Sequence, residues 1–141
     1  QFNKMVTTQS GLLGISETSG DMRDLLAAEA ADVRAAEAVG YFCYQAKNWI
    51  GAYAAALGGV DTLVFAGGIG ENSAPVRERI CSGLGFLGIE LDPARNALHA
   101  DVISGPAAKA IVRVIRTDEE LMIARSVARW LGEAARKEGS S

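Results

Sequence analysis

Histidine is the scarcest of the residues that carry chemistry, because His99 is the only one in a chain of 141 residues. Any mechanism contained in this chain that needs two histidines, as zinc ligands or as a base with its partner, is therefore excluded. The two cysteines, Cys43 and Cys81, lie far apart in apolar surroundings, without the short spacing of metal ligands. We expect both to be reduced structural thiols rather than a disulfide.

The chain also lacks an excess of positive charge and any long hydrophobic run. The net charge is −3 and the basic residues are scattered, so the chain has no electrostatic footprint for nucleic acid. The longest charge-free stretch, residues 48–60, is too short to span a bilayer, and no N-terminal targeting pattern is visible. About half of the residues are apolar, which argues against disorder. We expect a cytoplasmic protein that binds neither nucleic acid nor membranes.

Helical patterns fill the first half of the chain. Residues 21–28 have acids in their first turn and are predicted to form a helix after a loop that ends at Gly20. A long helix is predicted over about residues 31–57, where Gly58 and Gly59 stop it. Its apolar residues recur every three or four positions. They are Phe42, Ala46, Ile50, Tyr53 and Leu57.

Strands appear in the second half. Residues 62–66 and 110–116 are short apolar runs of the kind that form buried parallel strands, and residues 87–91 are a weaker candidate. One helix is predicted to start at Asn72 or Ser73 and a second to cover residues 94–100. A final helix is predicted after the last strand, from the 117–120 segment to about residue 137. This order indicates an α/β fold. The two stronger strand predictions would make only a marginal sheet, so we expect further strands upstream and a chain that is part of a longer fold.

A glycine segment follows the first strand. Gly67, Gly68 and Gly70 would let the backbone approach a phosphate closely, and a helix begins just after them. Glu71 and Asn72 would reach toward the ribose or the base. The segment is not a Walker A loop, and it fits the dinucleotide fingerprint poorly because Ser73 stands at the third required position. A plain tight turn between strand and helix remains the alternative.

An acidic helix start follows the second strand. Thr117 and Glu120 have the spacing of an N-cap and its partner in a capping box, which leaves Glu119 without a structural task. A carboxylate at this junction is well placed to hold Mg²⁺ beside nucleotide phosphates, directly or through a water. The alternative is an ordinary solvated helix start. The acidic residues that begin at Asp21 usually have the same structural explanation.

Three segments in this order, residues 10–24, 63–92 and 114–121, resemble the acetate kinase (acetokinase) family of the actin, sugar kinase and Hsp70 ATPase superfamily. The resemblance implies an α/β fold, a partial ribonuclease H-like (actin-like ATPase) domain with an incomplete sheet and flanking helices. Residues 1–117 would be the C-terminal part of the second such domain. Residues 118–141 would be a terminal helix that packs on a first domain missing from this chain and leaves an apolar patch here.

The resemblance also implies a role for each segment. Asp21, Met22 and Arg23 would line the adenosine side of an ATP/ADP site, and Glu119 would be the carboxylate associated with Mg²⁺. The opposite side of the nucleotide would be wrapped by Gly68, Ile69, Gly70, Glu71 and Asn72. No catalytic residue is expected in this chain, because the family's catalytic arginines and histidines and its carboxylate-binding pocket lie upstream.

The implied activity is reversible phosphoryl transfer from ATP to acetate, giving ADP and acetyl phosphate for acetyl-CoA biosynthesis, by a homodimer. We expect the 141 residues alone to be inactive. Alternatives are a propionate or butyrate kinase of the same family and a non-catalytic ATP-binding module. The chain departs from the family pattern at Gly67, Arg116, Asp118 and the pair Glu17-Thr18. Of these departures, only the pair is expected to alter the adenosine pocket.

Overall fold

The computed structural model describes residues 2–138, except for the side chains of residues 4, 5 and 131–138. Its helices and strands alternate in the second half of the chain, as an α/β fold requires. In chain order the elements are α1 (Phe2–Thr8), α2 (Gly11–Ser16), α3 (Met22–Ala28), α4 (Val33–Leu57), β1 (Thr62–Phe65), α5 (Gly67–Asn72), α6 (Ala74–Cys81), a 3₁₀ turn (Gly85–Leu87), α7 (Pro93–Ala97), β2 (Ile111–Val114) and α8 (Glu119–Glu138). Helices α1 and α2 had no counterpart in the sequence prediction.

The long helix α4 is the element on which α2, α3 and α6 pack. The Asp32 carboxylate accepts the backbone N–H groups of Arg34 and Ala35, and Gly58 ends the helix at a φ of +78°. The predicted apolar stripe is only partly correct, because Tyr53 and Leu57 are 61% and 80% exposed. The buried face instead uses small residues, which let α2, α3 and α6 approach closely. It consists of Ala35, Ala38, Val39, Cys43 and Ala54.

The sheet within residues 2–138 has two parallel strands, β1 and β2, with Thr62 opposite Ile111 and Phe65 opposite Val114. Both predicted strands are confirmed, although each is shorter than expected. The weaker prediction of a strand over residues 87–91 is wrong. Gly88 takes a φ of +79° and its carbonyl accepts the N–H groups of Lys109 and Ala110, so the chain curls instead of extending. Leu91 keeps only an isolated antiparallel bridge.

One core joins α3, α4, α6 and the sheet. Met22 and Leu25 of α3 and Val76 and Ile80 of α6 are all at most 4% exposed and belong to this core. Cys43 and Cys81 are free and buried, as predicted, and burial raises the pKa of the Cys81 thiol to about 12. Helices α3 and α6 both pack on α4, which fixes where their N-terminal ends lie.

Helix α8 exposes a row of large apolar side chains. Among its described side chains, Leu121, Met122, Ile123, Val127 and Trp130 are 43–69% exposed. This is the apolar patch expected from the resemblance, and its packing on a further domain stays a prediction. Within residues 2–138, no helix combines the length and the apolar character needed to cross a membrane.

Candidate functional site

The N-terminus of α3 forms one wall of a cleft. Asp21 is the N-cap, and its carboxylate accepts the backbone N–H of Arg23 at 2.8 Å. The Arg23 guanidinium returns to the same carboxylate through Nη2 at 2.6 Å. These contacts lower the pKa of Asp21 to about 2, chiefly through the Arg23 side chain. Met22, 4% exposed, anchors the wall in the core.

The opposite wall is the glycine segment, which folds as the short helix α5 rather than as the turn that the sequence predicted between strand and helix. Gly67 begins it with a φ of +72°, a conformation that favours glycine. Gly70 lies against β1, since a Cβ there would be 3.3 Å from the Phe65 carbonyl carbon. The Asn72 amide donates to the Gly68 carbonyl at 2.9 Å. A side chain at position 70 would therefore contact the backbone of β1 more closely than is usual for a Cβ atom.

Between the walls lies a cleft of about 570 Å³. Six of the predicted site residues line it, and sequence reasoning missed three more. The predicted ones are Asp21, Met22, Arg23, Gly68, Ile69 and Asn72, and the others are Leu26, Ser73 and Pro75. Leu26 stands one helical turn after Met22, and Ser73 directly follows the glycine segment, so proximity to the motifs was the available signal.

Glu71 does not line the cleft, although it belongs to the same helix. Its Oε1 atom accepts the Gly67 backbone N–H at 2.8 Å and both the backbone N–H and the hydroxyl of Thr117, at 2.8 and 2.7 Å. The hydrogen bonds from Thr117 lower the pKa of Glu71. The carboxylate therefore ties the end of β1 to the end of β2.

The acidic helix start is capped differently from the prediction. The Asp118 carboxylate accepts the Leu121 backbone N–H at 2.8 Å, so Asp118 is the cap and the predicted capping box of Thr117 and Glu120 is wrong. Thr117 is not free for that role because Glu71 holds it. Glu119 is the first residue of α8 and is exposed, and its carboxylate makes no hydrogen bond or ion pair with any residue that the structure describes. It does not line the cleft.

Arg77 supports the glycine helix from behind and had no role in the sequence prediction. It is 0% exposed, and no carboxylate pairs with it among residues 2–138. Its Nη1 donates to the carbonyls of Gly70 and Glu71 at 2.8 and 3.0 Å, and its Nε and Nη2 donate to Asn96. Nη2 also contacts His99 Nδ1 at 3.2 Å. Burial lowers the pKa of Arg77.

The chain is similar to known proteins over most of its length. The model of the Acetokinase family matches residues 1–125. The chain belongs to the acetokinase family. It is 48% identical over 136 residues to an acetate kinase of Dictyoglomus turgidum, covering 94% of this chain and 34% of that protein. It is also 48% identical over 130 residues to a propionate kinase of Citrobacter rodentium, covering 92% of this chain and 32% of that protein.

The fold agrees with solved members of the family. The crystal structure of Porphyromonas gingivalis acetate kinase matches with a TM-score of 0.83 and 41% identity, over 92% of this chain and 33% of that one. The structure of acetate kinase from Entamoeba histolytica matches with a TM-score of 0.82 and 34% identity, over 90% of this chain and 35% of that one. These matches confirm the predicted fold class, a partial actin-like ATPase domain. The chain spans about a third of the length of the acetokinase relatives that it matches.

A resident Mg²⁺ would have to fit the donors that this acetokinase chain offers. Within residues 2–138, no group of three or more His, Cys, Asp or Glu side chains is close enough to hold a metal ion. Mg²⁺ commonly keeps several waters and takes one or two carboxylates together with substrate phosphates. The unengaged carboxylate of Glu119 fits such a site, in which the nucleotide would provide most of the other ligands.

Proposed function

We propose that this chain is the nucleotide-binding C-terminal portion of an ATP:acetate phosphotransferase, which reversibly makes acetyl phosphate and ADP. One observation carries the proposal. Residues 21–23 and 68–72 are separate in sequence, both were expected to grip a nucleotide, and six of their side chains or backbones line one cleft. Family membership supports the same activity.

The cleft has the size and the chemistry for an adenosine group. Its volume of about 570 Å³ lies in the ordinary range of small-molecule sites. Leu26, Ile69 and Pro75 offer apolar surfaces for a purine ring, while Asp21 and Asn72 offer acceptors and donors for its polar edge and the ribose. The glycines of α5 leave room for the phosphates beside the backbone.

Glu119 is proposed as the metal carboxylate because of sheet topology. Strands β1 and β2 are parallel neighbours, so α5 and α8 both begin at the carboxyl end of the sheet, where α/β proteins bind their ligands. Glu71 and Thr117 hold the two junctions together. Glu119 would bind Mg²⁺ directly or through a water, and Mg²⁺ bound there would neutralise charge on the transferring phosphoryl group.

The residues that bind acetate and stabilise the transition state belong, in this proposal, to a portion upstream of the described chain. Phosphoryl transfer depends mainly on positioning and charge neutralisation, so the cleft described above contributes orientation rather than a catalytic base. We further propose that the complete enzyme is a cytoplasmic homodimer, and that α8 packs on its first domain. These parts rest on the family resemblance and on the exposed apolar face of α8.

Glu119→Ala in the complete enzyme tests the proposal. Acetyl phosphate formation from acetate and ATP should fall at least about a hundredfold across a Mg²⁺ titration, because the metal loses its protein carboxylate. Glu90→Ala, which removes an exposed carboxylate that does not line the cleft, is the matched control and should leave turnover unchanged. Full Mg²⁺-dependent turnover by the Glu119→Ala enzyme would refute the role of Glu119. ATP binding without any turnover by the wild type would favour a non-catalytic module.

Propionate kinase is a second candidate, because propionate kinases of Citrobacter rodentium and Francisella tularensis match the chain at 48% and 37% identity. In this proposal the cleft binds the nucleotide and not the acyl group, so both activities are compatible with it. Comparing kcat/KM of the complete enzyme for acetate, propionate and butyrate distinguishes them. A kcat/KM highest for acetate supports the primary proposal.

A further inference from the structure

An ion pair between Glu29 and Arg79 joins α3, whose N-terminus forms one wall of the cleft, to α6, whose Pro75 also lines the cleft. Arg79 Nη1 donates to Glu29 Oε2 and Nη2 donates to Oε1, both at 2.7 Å. Glu29 is the residue at the C-terminal end of α3, and Arg79 lies on α6. The two residues are 50 positions apart, a larger separation than in any other ion pair within the described part of the chain.

The pair lies one helical turn from the cleft on both sides. On α3, Glu29 follows the cleft residue Leu26 by three positions, and on α6, Arg79 follows the cleft residue Pro75 by four. Residues at these spacings share a helix face. Both helices also pack on α4, and the ion pair adds a direct link between them near their C-terminal ends. The distance between Leu26 and Pro75 is therefore coupled to the ion pair.

Charge and geometry make this a strong pair for its position. The Glu29 side chain is 23% exposed and that of Arg79 is 41% exposed. The hydrogen bonds to Arg79 lower the pKa of Glu29, and those to Glu29 raise the pKa of Arg79, so both groups are charged at neutral pH. A two-pronged arginine–carboxylate contact also fixes the relative orientation of the elements that carry it.

We propose that Glu29 and Arg79 form a positioning clamp that sets the width of the cleft and thereby its affinity for the adenosine part of the nucleotide. This inference rests on the proposed function, because it requires a nucleotide in the cleft. Neither residue lines the cleft, so the clamp acts through the walls. The glycine helix is also tied through Glu71 to Thr117, outside the two helices that the ion pair joins, so we expect the phosphate side to keep its shape when the clamp is broken.

Comparing two ligands distinguishes the specific effect of the clamp on adenosine binding from a general loss of structure. In the complete enzyme, the Kd for ATP and for inorganic tripolyphosphate is measured by calorimetry for the wild type, Glu29→Gln and Arg79→Gln. We expect ATP to bind about threefold to fivefold more weakly in both variants, the size of effect that a partly exposed ion pair supports. Tripolyphosphate, which lacks adenosine, should bind as in the wild type. Saturating kcat should not change.

Two further variants complete the experiment. Arg95→Gln is the matched control, because it removes the ion pair of Arg95 with Asp92, which does not line the cleft, and it should leave ATP binding unchanged. The charge exchange Glu29→Arg with Arg79→Glu should restore the ATP Kd to within about twofold of the wild type, since coupled substitutions at contacting residues compensate. If the single variants fail to fold, this exchange decides alone, and failure to restore ATP binding in a folded protein overturns the clamp.

The outcomes separate the clamp from the proposed function. Wild-type ATP affinity in folded Glu29→Gln and Arg79→Gln enzymes overturns the clamp and leaves the proposed function intact. Equal weakening of ATP and tripolyphosphate also overturns it, because the effect would then not be specific to adenosine. A wild-type enzyme that binds no ATP overturns the proposed function itself.

Discussion

Among single residues, Arg77 has the least ordinary environment. A buried cation without a carboxylate partner normally costs free energy, and here backbone carbonyls at the ends of α5 and α7 provide the compensation. The carbonyls of Gly70 and Glu71 belong to the glycine segment, so the arginine fixes the shape of one cleft wall without touching the cleft. Its role is support of the proposed nucleotide site.

Arg77→Lys should therefore destabilise the chain even though it conserves the charge. A lysine has three donors on a point-like ammonium and cannot reach the acceptors on Gly70, Glu71 and Asn96 together, so we expect a loss of about 2–4 kcal/mol in the free energy of unfolding. Urea denaturation measures it. Arg95→Lys, at an exposed arginine, is the control and should change stability by less than about 0.5 kcal/mol. Similar values for the two variants would contradict the role given to the Arg77 network.

At the scale of elements, the backbone conformation of Gly88 explains why residues 87–91 form a turn rather than a strand. Its φ is +79°, and a Cβ at this position would lie 2.7 Å from the Lys109 Cβ. The two carbonyl hydrogen bonds that Gly88 accepts join the turn after the 3₁₀ segment to the start of β2. The turn thus positions β2 beside β1.

Gly88→Ala should cost about 2–4 kcal/mol, from the left-handed backbone and the clash with Lys109. Gly51→Ala is the matched control, because Gly51 lies inside α4 with no atom within 4 Å of the added Cβ. It should stabilise the chain by about 0.5–1 kcal/mol through helix propensity. Thermal unfolding of the two variants in parallel checks both signs, and a tolerated Gly88→Ala would show that the turn does not need glycine.

The tie between α5 and the β2–α8 junction should depend on pH. The folded-state pKa of Glu71 is lowered from its usual 4.5, so the stabilisation is fully present above that value and is lost as the pH falls through the lowered one. Hydrogen-exchange protection of the Thr117 amide should decrease correspondingly on acidification. In Glu71→Gln, whose amide oxygen still accepts but does not titrate, this decrease should disappear. An unchanged pH profile in that variant would contradict the assignment to Glu71.

At the scale of the whole molecule, the chain presents the cleft of the proposed nucleotide site and several exposed apolar surfaces. The described face of α8, together with Val64, Ile111 and Ile115 of the sheet region, exposes side chains that are 43–69% accessible. Such surfaces are typical of an interface with another domain. They agree with a chain that spans about a third of its relatives.

The 141-residue chain alone should therefore form no acetyl phosphate from acetate and ATP, because the proposed acetate pocket and transition-state cations lie elsewhere. A hydroxamate assay for acetyl phosphate measures this, with the complete enzyme as the positive control at equal concentration. Adding the separately produced upstream portion should restore turnover if the exposed α8 face is its docking surface. Acetyl phosphate formation by the chain alone would disprove this division of the site.

Local patterns in the sequence determined much of this protein. The α/β class, the long helix α4, both strands, the helix beginning at Asp21 and the glycine segment follow from capping residues, periodicity and glycine placement, which act within a few residues. The nucleotide role of the Asp21 segment was implied only by the family resemblance. The family also follows from its motifs. These features depend on neighbours along the chain, so they are readable without coordinates.

Only the tertiary structure decided what depends on distant residues. Glu71 meets Thr117 across 46 positions, Arg77 meets Asn96 across 19, and Glu29 meets Arg79 across 50. The first contact removes Thr117 from the predicted capping box, and the carbonyl contacts of Gly88 abolish the third predicted strand. Spacing in sequence does not determine which remote acceptor a donor finds, because packing of α3, α5 and α6 around α4 and the sheet makes that choice.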